Sequence, residues 1–148
     1  MRLGFTHSSA DLPERFYTAL PPTPVREPRL AVFNRPLAAE LGLDIDAVER
    51  EAATLFSGNT LPEDARPIAM AYAGHQFGGF VPRLGDGRAI LLGELRCPDG
   101  SLRDLQLKGA GRTPWSRNGY PTSAQPQRRA AIGRGRVTAP TGCCSPIS

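Results

Sequence analysis

The fold is decided by residues 71–117, which read AYAGHQFGGFVPRLGDGRAILLGELRCPDGSLRDLQLKGAGRTPWSR. A glycine-rich turn at 85–88, Gly-Asp-Gly-Arg, leads directly into an apolar run at 89–95. A second turn signal, Pro-Asp-Gly at 98–100, separates this run from another at 102–108 that ends in a lysine. Two strand-like runs around an Asp-Gly turn predict an antiparallel hairpin, although the loop exceeds the two residues of the tightest hairpins.

The second run also indicates which side of the hairpin is buried. Leu105 and Leu107 alternate with Gln106 and Lys108. Because successive side chains of a strand point to opposite faces, we expect the leucines to face the core and the polar pair to face outward. Lys108 is therefore expected to be an exposed cation at the end of this strand.

The glycine turn and its nearby cations suit a phosphate-binding site. Gly85 and Gly87 carry no Cβ, so we expect positive φ angles there and a backbone that approaches a ligand closely. Exposed amides in such a turn can line an anion site, and Arg88 can hold a phosphate through two parallel hydrogen bonds. Lys108 would add an ammonium, in the order that kinase-like folds use around nucleotide phosphates. A Gly-x-Gly turn before a strand is more often only a turn, so the pattern alone leaves both interpretations open.

Two segments carry a family resemblance, AYAGHQFGGFVPRLGDGRAILLGE at 71–94 and LQLKGAGRTPWSRNG at 105–119. Both closely resemble the selenoprotein O family (SelO, also called YdiU), and they occur in the family's order and spacing. The upstream segments NRPLA at 34–38 and FSGN at 56–59 are similar to that family as well. Members are kinase-like proteins, once considered pseudokinases, that transfer AMP from ATP to protein hydroxyls with Mg²⁺ or Mn²⁺.

The resemblance implies a fold and a set of ligands. Over residues 1–119 it implies an α+β fold, part of a kinase-like N-lobe with an antiparallel sheet, short helices and an irregular N-terminal arm. It implies ATP, with Mg²⁺ or Mn²⁺, as cofactor, and proteins bearing Ser, Thr or Tyr hydroxyls as partners. The nucleotide contacts of the family carry over to Gly85, Gly87, Arg88 and Lys108. No catalytic or metal-binding residue carries over.

Other side chains in the stretch favour structural roles. His75 has no second ligand at a metal-like spacing, and an Asp between two glycines, as at Asp86, more often stabilises a turn. Glu94 lies within the first strand and receives no site role, because a kinase-like site takes the acidic partner of its lysine from a later helix. Trp115 is expected to pack as core or lid. Arg117 remains a candidate phosphate ligand.

Upstream of the stretch, the sequence predicts an irregular arm and two helices. Prolines recur through residues 5–28, which are expected to be extended, and a short strand is predicted at 29–33. Asn34 can cap a helix that ends near Gly42. Residues 44–56 are the strongest helix candidate, because their apolar residues fall on one stripe and Gly58 follows.

The composition excludes several classes of protein. Of the 148 residues, 40% are hydrophobic and 22% charged, as in ordinary globular domains. No apolar run approaches the about 20 residues of a membrane span, and the first residues lack a signal-peptide core. Three cysteines provide neither a disulfide framework nor a C-x-x-C metal pair. We therefore expect a cytoplasmic protein without a membrane partner.

The last part of the sequence has a different character. Residues 1–104 hold 11 basic and 14 acidic residues, net −3, whereas 105–148 hold seven basic residues and no acid, net +7. Residues 120–148 are of low complexity, which predicts a disordered basic tail. The tail lacks interleaved aromatics and a nucleic-acid module, so nucleic-acid binding is not expected.

The resemblance stops at this tail. Family members continue with Asp-Gly-Arg-Ala where this sequence has Tyr120 and Pro121, and their catalytic and metal-binding residues lie further along. We therefore expect a fragment with a frame-shifted tail that does not transfer AMP. Two alternatives stay open, a non-catalytic nucleotide-binding module and a basic-tailed interaction protein.

Overall fold

The structure is a computed structural model that describes residues 1–116, and these form an antiparallel sheet with two helices. This architecture agrees with the predicted α+β class, whereas the kinase-like N-lobe stays a prediction. The predicted boundary after 119 and the predicted disordered tail at 120–148 lie outside the described residues. The strands are β1 (Phe5–Thr6), β2 (Tyr17–Ala19), β3 (Ile68–Gln76), β4 (Gly79–Gly85), β5 (Ala89–Arg96) and β6 (Leu102–Lys108), and the helices are α1 (Arg35–Glu40) and α2 (Ile45–Phe56).

The predicted hairpin is confirmed as β5 and β6. The strands pair in antiparallel register from Ala89 opposite Lys108 to Arg96 opposite Leu102. Leu105 and Leu107 are each 2% exposed, whereas Lys108 is exposed, as the alternation predicts. The other edge of β5 pairs with β1 and β3, so β5 is central to the sheet.

Both helices begin and end where the sequence predicts. The side chains of Asn34 and Asp44 accept hydrogen bonds from the amides of Leu37 and Ala47, at 3.0 Å each, and so cap α1 and α2. Gly42, with φ +72°, follows α1. None of the helices in the described part of the chain is long and apolar enough to cross a membrane.

The core lies between α2 and one face of the β5–β6 hairpin. The stripe on α2 buries Val48, Ala52 and Leu55, each at most 1% exposed. These side chains join Ile90, Leu92, Leu105 and Leu107 in one buried cluster. Burying such side chains is the main stabilising contribution to a domain of this size.

The predicted strand at 29–33 is wrong. The chain there is irregular and pairs with no strand. Val32 is 84% exposed and Leu30 is 41% exposed. A strand forms only where a neighbour satisfies its backbone groups, and this segment instead leads into the Asn34 cap.

The N-terminal arm is more ordered than the prolines suggest. β1 pairs with β5, Phe5 opposite Leu95, and β2 pairs with β3, Tyr17 opposite Met70. The prediction of an irregular arm is therefore wrong at these two places. Both short strands satisfy backbone groups at edges of longer strands, which local proline content cannot reveal.

Two acidic side chains fasten the arm. The carboxylate of Asp64 accepts hydrogen bonds from the amides of Leu3, Gly4 and Phe5 at 3.1, 2.7 and 2.9 Å. Burial alone would raise the pKa of Asp64, but these amides stabilise the charged form and lower it overall.

Glu94 provides the second fastening point. It is 4% exposed, and it accepts hydrogen bonds from the hydroxyl of Ser8 at 2.7 Å and from the amide of Ser9 at 3.2 Å. Burial opposes ionisation of Glu94, yet the donors on Ser8 and Ser9 outweigh it and lower its pKa. Glu94 is thus structural, in agreement with its lack of a predicted site role.

The segment between the arm and the hairpin forms a second hairpin, β3–β4. Its turn is Phe77-Gly78, with φ of 53° and 80°, and Gln76 lies opposite Gly79. His75 is exposed and packs edge-on against Phe80, with ring centroids 5.5 Å apart. The sequence does not predict this hairpin, because mixed glycines and aromatics obscure the strand period.

We expect acid to weaken the fold through the arm. Because Asp64 and Glu94 have lowered pKa values in the folded chain, their stabilisation is complete above their ordinary values, near pH 4, and is lost as the pH falls through the folded values. Asp64→Asn should cost about 1–2 kcal/mol of unfolding free energy at pH 7, measured by urea denaturation, and should reduce the acid dependence.

The matched control is Asp11→Asn, because Asp11 is an exposed acid of the same arm. It should leave both the stability at pH 7 and the acid dependence unchanged. Wild-type stability in Asp64→Asn at pH 7 would show that the carboxylate does not hold the arm.

Candidate functional site

The candidate site is built on the bend at residues 85–88. β4 pairs with β3 from Gly79 opposite Gln76 to Gly85 opposite Ala71, and β5 then pairs with β3 at Ile68. The two strands thus follow one another along β3, and the bend links them. It is therefore not the tip of a hairpin.

Asp86 fixes the bend to β3. Its amide donates to the carbonyl oxygen of Met70 at 2.9 Å, and its carboxylate accepts from the amide of Met70 at 3.3 Å. Sequence analysis predicted that Asp86 stabilises the turn, and it does so by bonding to a neighbouring strand. Burial raises the pKa of Asp86, the Met70 amide lowers it, and the charge of Asp104 raises it further.

The prediction of positive φ angles at Gly85 and Gly87 is wrong, since neither residue adopts one. Gly85 is required for a different reason. A Cβ there would lie 2.6 Å from the carbonyl oxygen of Met70 and 2.6 Å from Cγ of Trp115. At Gly87 the nearest atom would be 3.7 Å away, an ordinary contact. Only Gly85 is therefore needed for close packing, with the half-buried Trp115 as the predicted lid.

The loop at 109–116 folds back over the bend, and we call it the clamp loop. The hydroxyl of Thr113 donates to the carbonyl oxygens of Asp86 at 2.6 Å and Gly87 at 3.2 Å. The hydroxyl of Ser116 donates to the same Gly87 oxygen. Thr113 is only 7% exposed. Thr113 and Ser116 are not among the predicted site residues; the signal for them in the sequence is that two hydroxyl residues lie three positions apart, five and eight residues after Lys108.

The structure brings Arg88 and Lys108 to the same end of the β5–β6 ladder. Lys108 lies opposite Ala89, the residue after Arg88. The amides of Gly109 and Ala110 donate to the carbonyl oxygen of Arg88 at 2.8 and 3.0 Å. Both cations are exposed. The two backbone positions are thus held together by hydrogen bonds, while the long side chains extend into solvent.

Neither cation is neutralised by an acid in the described part of the chain. The ion pairs there have Met1, Arg2, Arg29 and Arg35 as their cations. The amides of Gly87 and Arg88 likewise have no hydrogen-bond acceptor within residues 1–116. Two amides and two positive charges at one place are suited to an anion with several oxygens.

The cations and amides at the bend are of the chemical type that holds an anion, whereas the described residues do not form a metal cage. Within residues 1–116, no group of three or more His, Cys, Asp or Glu side chains could hold a metal ion. The carboxylate of Asp86 is already bonded to the amide of Met70. Arg117, the remaining predicted phosphate ligand, lies outside the described residues.

We expect the two glycines of the bend to respond differently to substitution. Gly85→Ala forces a methyl group against Met70 and Trp115 and should cost about 2–3 kcal/mol of unfolding free energy. Gly87→Ala meets only an ordinary contact and should cost about 0.5 kcal/mol or less. Urea denaturation of both variants measures this difference, and equal losses would contradict the packing described for Gly85.

Comparison with known proteins identifies the family. A family model described as "Protein adenylyltransferase SelO" matches residues 1–121. The chain is 60% identical over 129 residues to "Protein nucleotidyltransferase YdiU" of Rhizobium meliloti (strain 1021), covering 87% of this chain and 25% of that protein. It is 61% identical over 117 residues to the protein of the same name in Cereibacter sphaeroides (strain ATCC 17029 / ATH 2.4.9), covering 79% and 24%. The chain spans about a quarter of the length of these relatives, and it belongs to the SelO family.

Proposed function

We propose that Gly85, Gly87, Arg88 and Lys108 bind the phosphates of ATP in a protein adenylyltransferase. The observation that carries this proposal is that two exposed cations, Arg88 and Lys108, lie at the same end of the β5–β6 ladder, beside the amides of Gly87 and Arg88. Within residues 1–116 neither cation has an acidic partner and neither amide has an acceptor. Family membership supports it, because the matching family is described as a protein adenylyltransferase. We also propose that the sheet is part of a kinase-like N-lobe.

The electrostatics favour a polyphosphate over a small anion. ATP offers several charged oxygens along a chain, so one molecule can meet the amides of the bend and both cations at once. Each charge-assisted hydrogen bond contributes about 1.5–3 kcal/mol. Arg88 is suited to a fork of two oxygens, and Lys108 acts as a point charge.

The reaction we propose is transfer of AMP to a protein hydroxyl. The hydroxyl oxygen bonds to the α-phosphorus, the bond from that phosphorus to the bridging oxygen breaks, the hydroxyl proton is released, and pyrophosphate leaves. Arg88 and Lys108 would hold the phosphates in place and offset their negative charge. A divalent cation, when bound, supplies further charge neutralisation on the phosphate oxygens. The proposed protein substrates carry Ser, Thr or Tyr hydroxyls, and the proposed location is the cytoplasm, where ATP is available.

We further propose that the 148-residue chain binds ATP but does not transfer AMP. The part of the chain that matches the first relative covers 25% of that protein's length. Within residues 1–116 the site has cations and amides but no cluster of metal-binding side chains. Phosphate binding needs only the cations and the amides, whereas nucleotidyl transfer also depends on a metal ion and on the positioning of the reacting groups.

We expect removal of either cation to weaken ATP binding. Lys108→Ala and Arg88→Ala should each raise the Kd of MgATP about tenfold, equivalent to losing one charge-assisted contact, as measured by isothermal titration calorimetry. Arg96→Ala is the control, because Arg96 is also an exposed arginine but lies at the opposite end of β5 from Arg88. Equal losses in all three variants would indicate a general charge effect and would argue against a defined site.

We expect no AMP transfer by the purified chain. Incubation with α-labelled ATP, Mg²⁺ or Mn²⁺ and a mixture of soluble proteins should leave no label on protein hydroxyls. The calorimetric experiment supplies the positive control for binding. Clear incorporation of label into protein, abolished by Lys108→Ala, would overturn the proposal that the 148-residue chain binds ATP without transferring AMP.

A further inference from the structure

The clamp loop bonds to the carbonyl side of the bend. Two hydroxyls, on Thr113 and Ser116, donate to the carbonyl oxygens of Asp86 and Gly87. The loop also contains internal hydrogen bonds. The amide of Thr113 donates to the hydroxyl oxygen of Ser116 at 2.9 Å. The amide of Ser116 donates back to the carbonyl oxygen of Thr113 at 3.0 Å. The two donors are therefore held in place before any ligand arrives.

The carbonyls matter because each peptide unit is rigid. The carbonyl of Gly87 and the amide of Arg88 belong to one planar unit and point in opposite directions, as do the carbonyl of Asp86 and the amide of Gly87. Fixing the two carbonyls toward the clamp loop therefore directs the two amides away from it. These are the amides that have no acceptor within the described residues.

The clamp loop is also tied to the rest of the chain on both sides. It begins directly after Lys108, and its first two amides bond to the carbonyl oxygen of Arg88. The carbonyl oxygen of Ala110 accepts from the amide of Thr23 at 2.7 Å. A Cβ on Gly111 would lie 2.4 Å from Oγ1 of Thr23, so the loop packs closely on the arm. The loop therefore links Lys108, the arm and the bend through hydrogen bonds and close packing.

We propose that Thr113 and Ser116 are positioning residues, which orient the amides of Gly87 and Arg88 toward the phosphates and hold them at a fixed distance from Lys108. This inference rests on the proposed function. The hydroxyls themselves do not touch the ligand; they act through the peptide units that they hold. The arrangement should matter most for ligands with several phosphates, because these need the amides and Lys108 together.

The test compares variants that keep or remove the hydroxyl of Thr113. Thr113→Val preserves shape and removes the donor, and Thr113→Ser keeps the donor. Thr54→Val is the matched control, because the hydroxyl of Thr54 also donates to a carbonyl oxygen, that of Glu51 within α2 at 3.0 Å, away from the bend. Calorimetry measures the Kd of ATP and of AMP for each variant, and thermal unfolding measures stability.

We expect Thr113→Val to raise the Kd of ATP about tenfold and the Kd of AMP much less, so that the preference for ATP over AMP falls. Thr113→Ser should restore the wild-type preference. Thr54→Val should lower stability while its ATP-to-AMP preference stays unchanged. If Thr113→Val does not fold, Ser116→Ala serves in its place, with the same loss of preference expected.

The outcomes separate the two proposals. If the wild-type chain binds ATP and Lys108→Ala weakens it, a wild-type preference in folded Thr113→Val and Ser116→Ala overturns the positioning role alone. If Thr113→Val weakens the binding of ATP and the binding of AMP equally, Thr113 has a structural role and does not position the amides. If the wild-type chain binds no ATP at all, both the positioning role and the proposed nucleotide site are overturned.

Discussion

The β5–β6 ladder is the interaction on which the rest of the structure depends. Its register places Ala89 opposite Lys108 and so sets the separation of the two proposed phosphate ligands along the backbone. The same two strands present Ile90 and Leu107 to the helices, where both are at most 2% exposed. One set of hydrogen bonds thus fixes both the core and the candidate site. A slip of one residue would exchange the buried and exposed faces of β6.

The bend depends in turn on a constraint from packing. Met70 and Trp115 approach Gly85 so closely that a Cβ has no room. The carboxylate of Asp86 accepts a hydrogen bond from the amide of Met70, and the hydroxyl of Thr113 donates to the carbonyl oxygen of Asp86. Such contacts from two sides hold the backbone of the bend, and with it the amides of Gly87 and Arg88, which have no acceptor within residues 1–116. Such preorganisation lowers the entropy cost of binding a ligand.

Several sequence predictions succeeded because they rest on local physics. The α2 stripe, the cap at Asn34 and the alternation that ends at Lys108 are read from neighbouring residues, and the structure confirms them. The predictions that failed concern partners distant in the chain. β1 pairs with β5, with Phe5 opposite Leu95, a residue that lies 90 positions later in the chain, and no local pattern encodes that pairing. The need for glycine at position 85 also comes from a residue distant in the chain, Trp115, and not from the positive φ that the sequence predicts.

The helices and the β5–β6 hairpin are predictable from the sequence, because periodicity and capping are properties of short segments. The four residues proposed to contact nucleotide follow from the resemblance of two sequence segments to the SelO family. Three features are seen only in the folded chain: β1 and β2 join the sheet, Glu94 holds the arm through Ser8 across 86 residues, and Thr113 and Ser116 bond to the carbonyls of the bend. The physical reason is that hydrogen bonds and close contacts between distant segments depend on how those segments dock, and docking is a property of the folded chain as a whole.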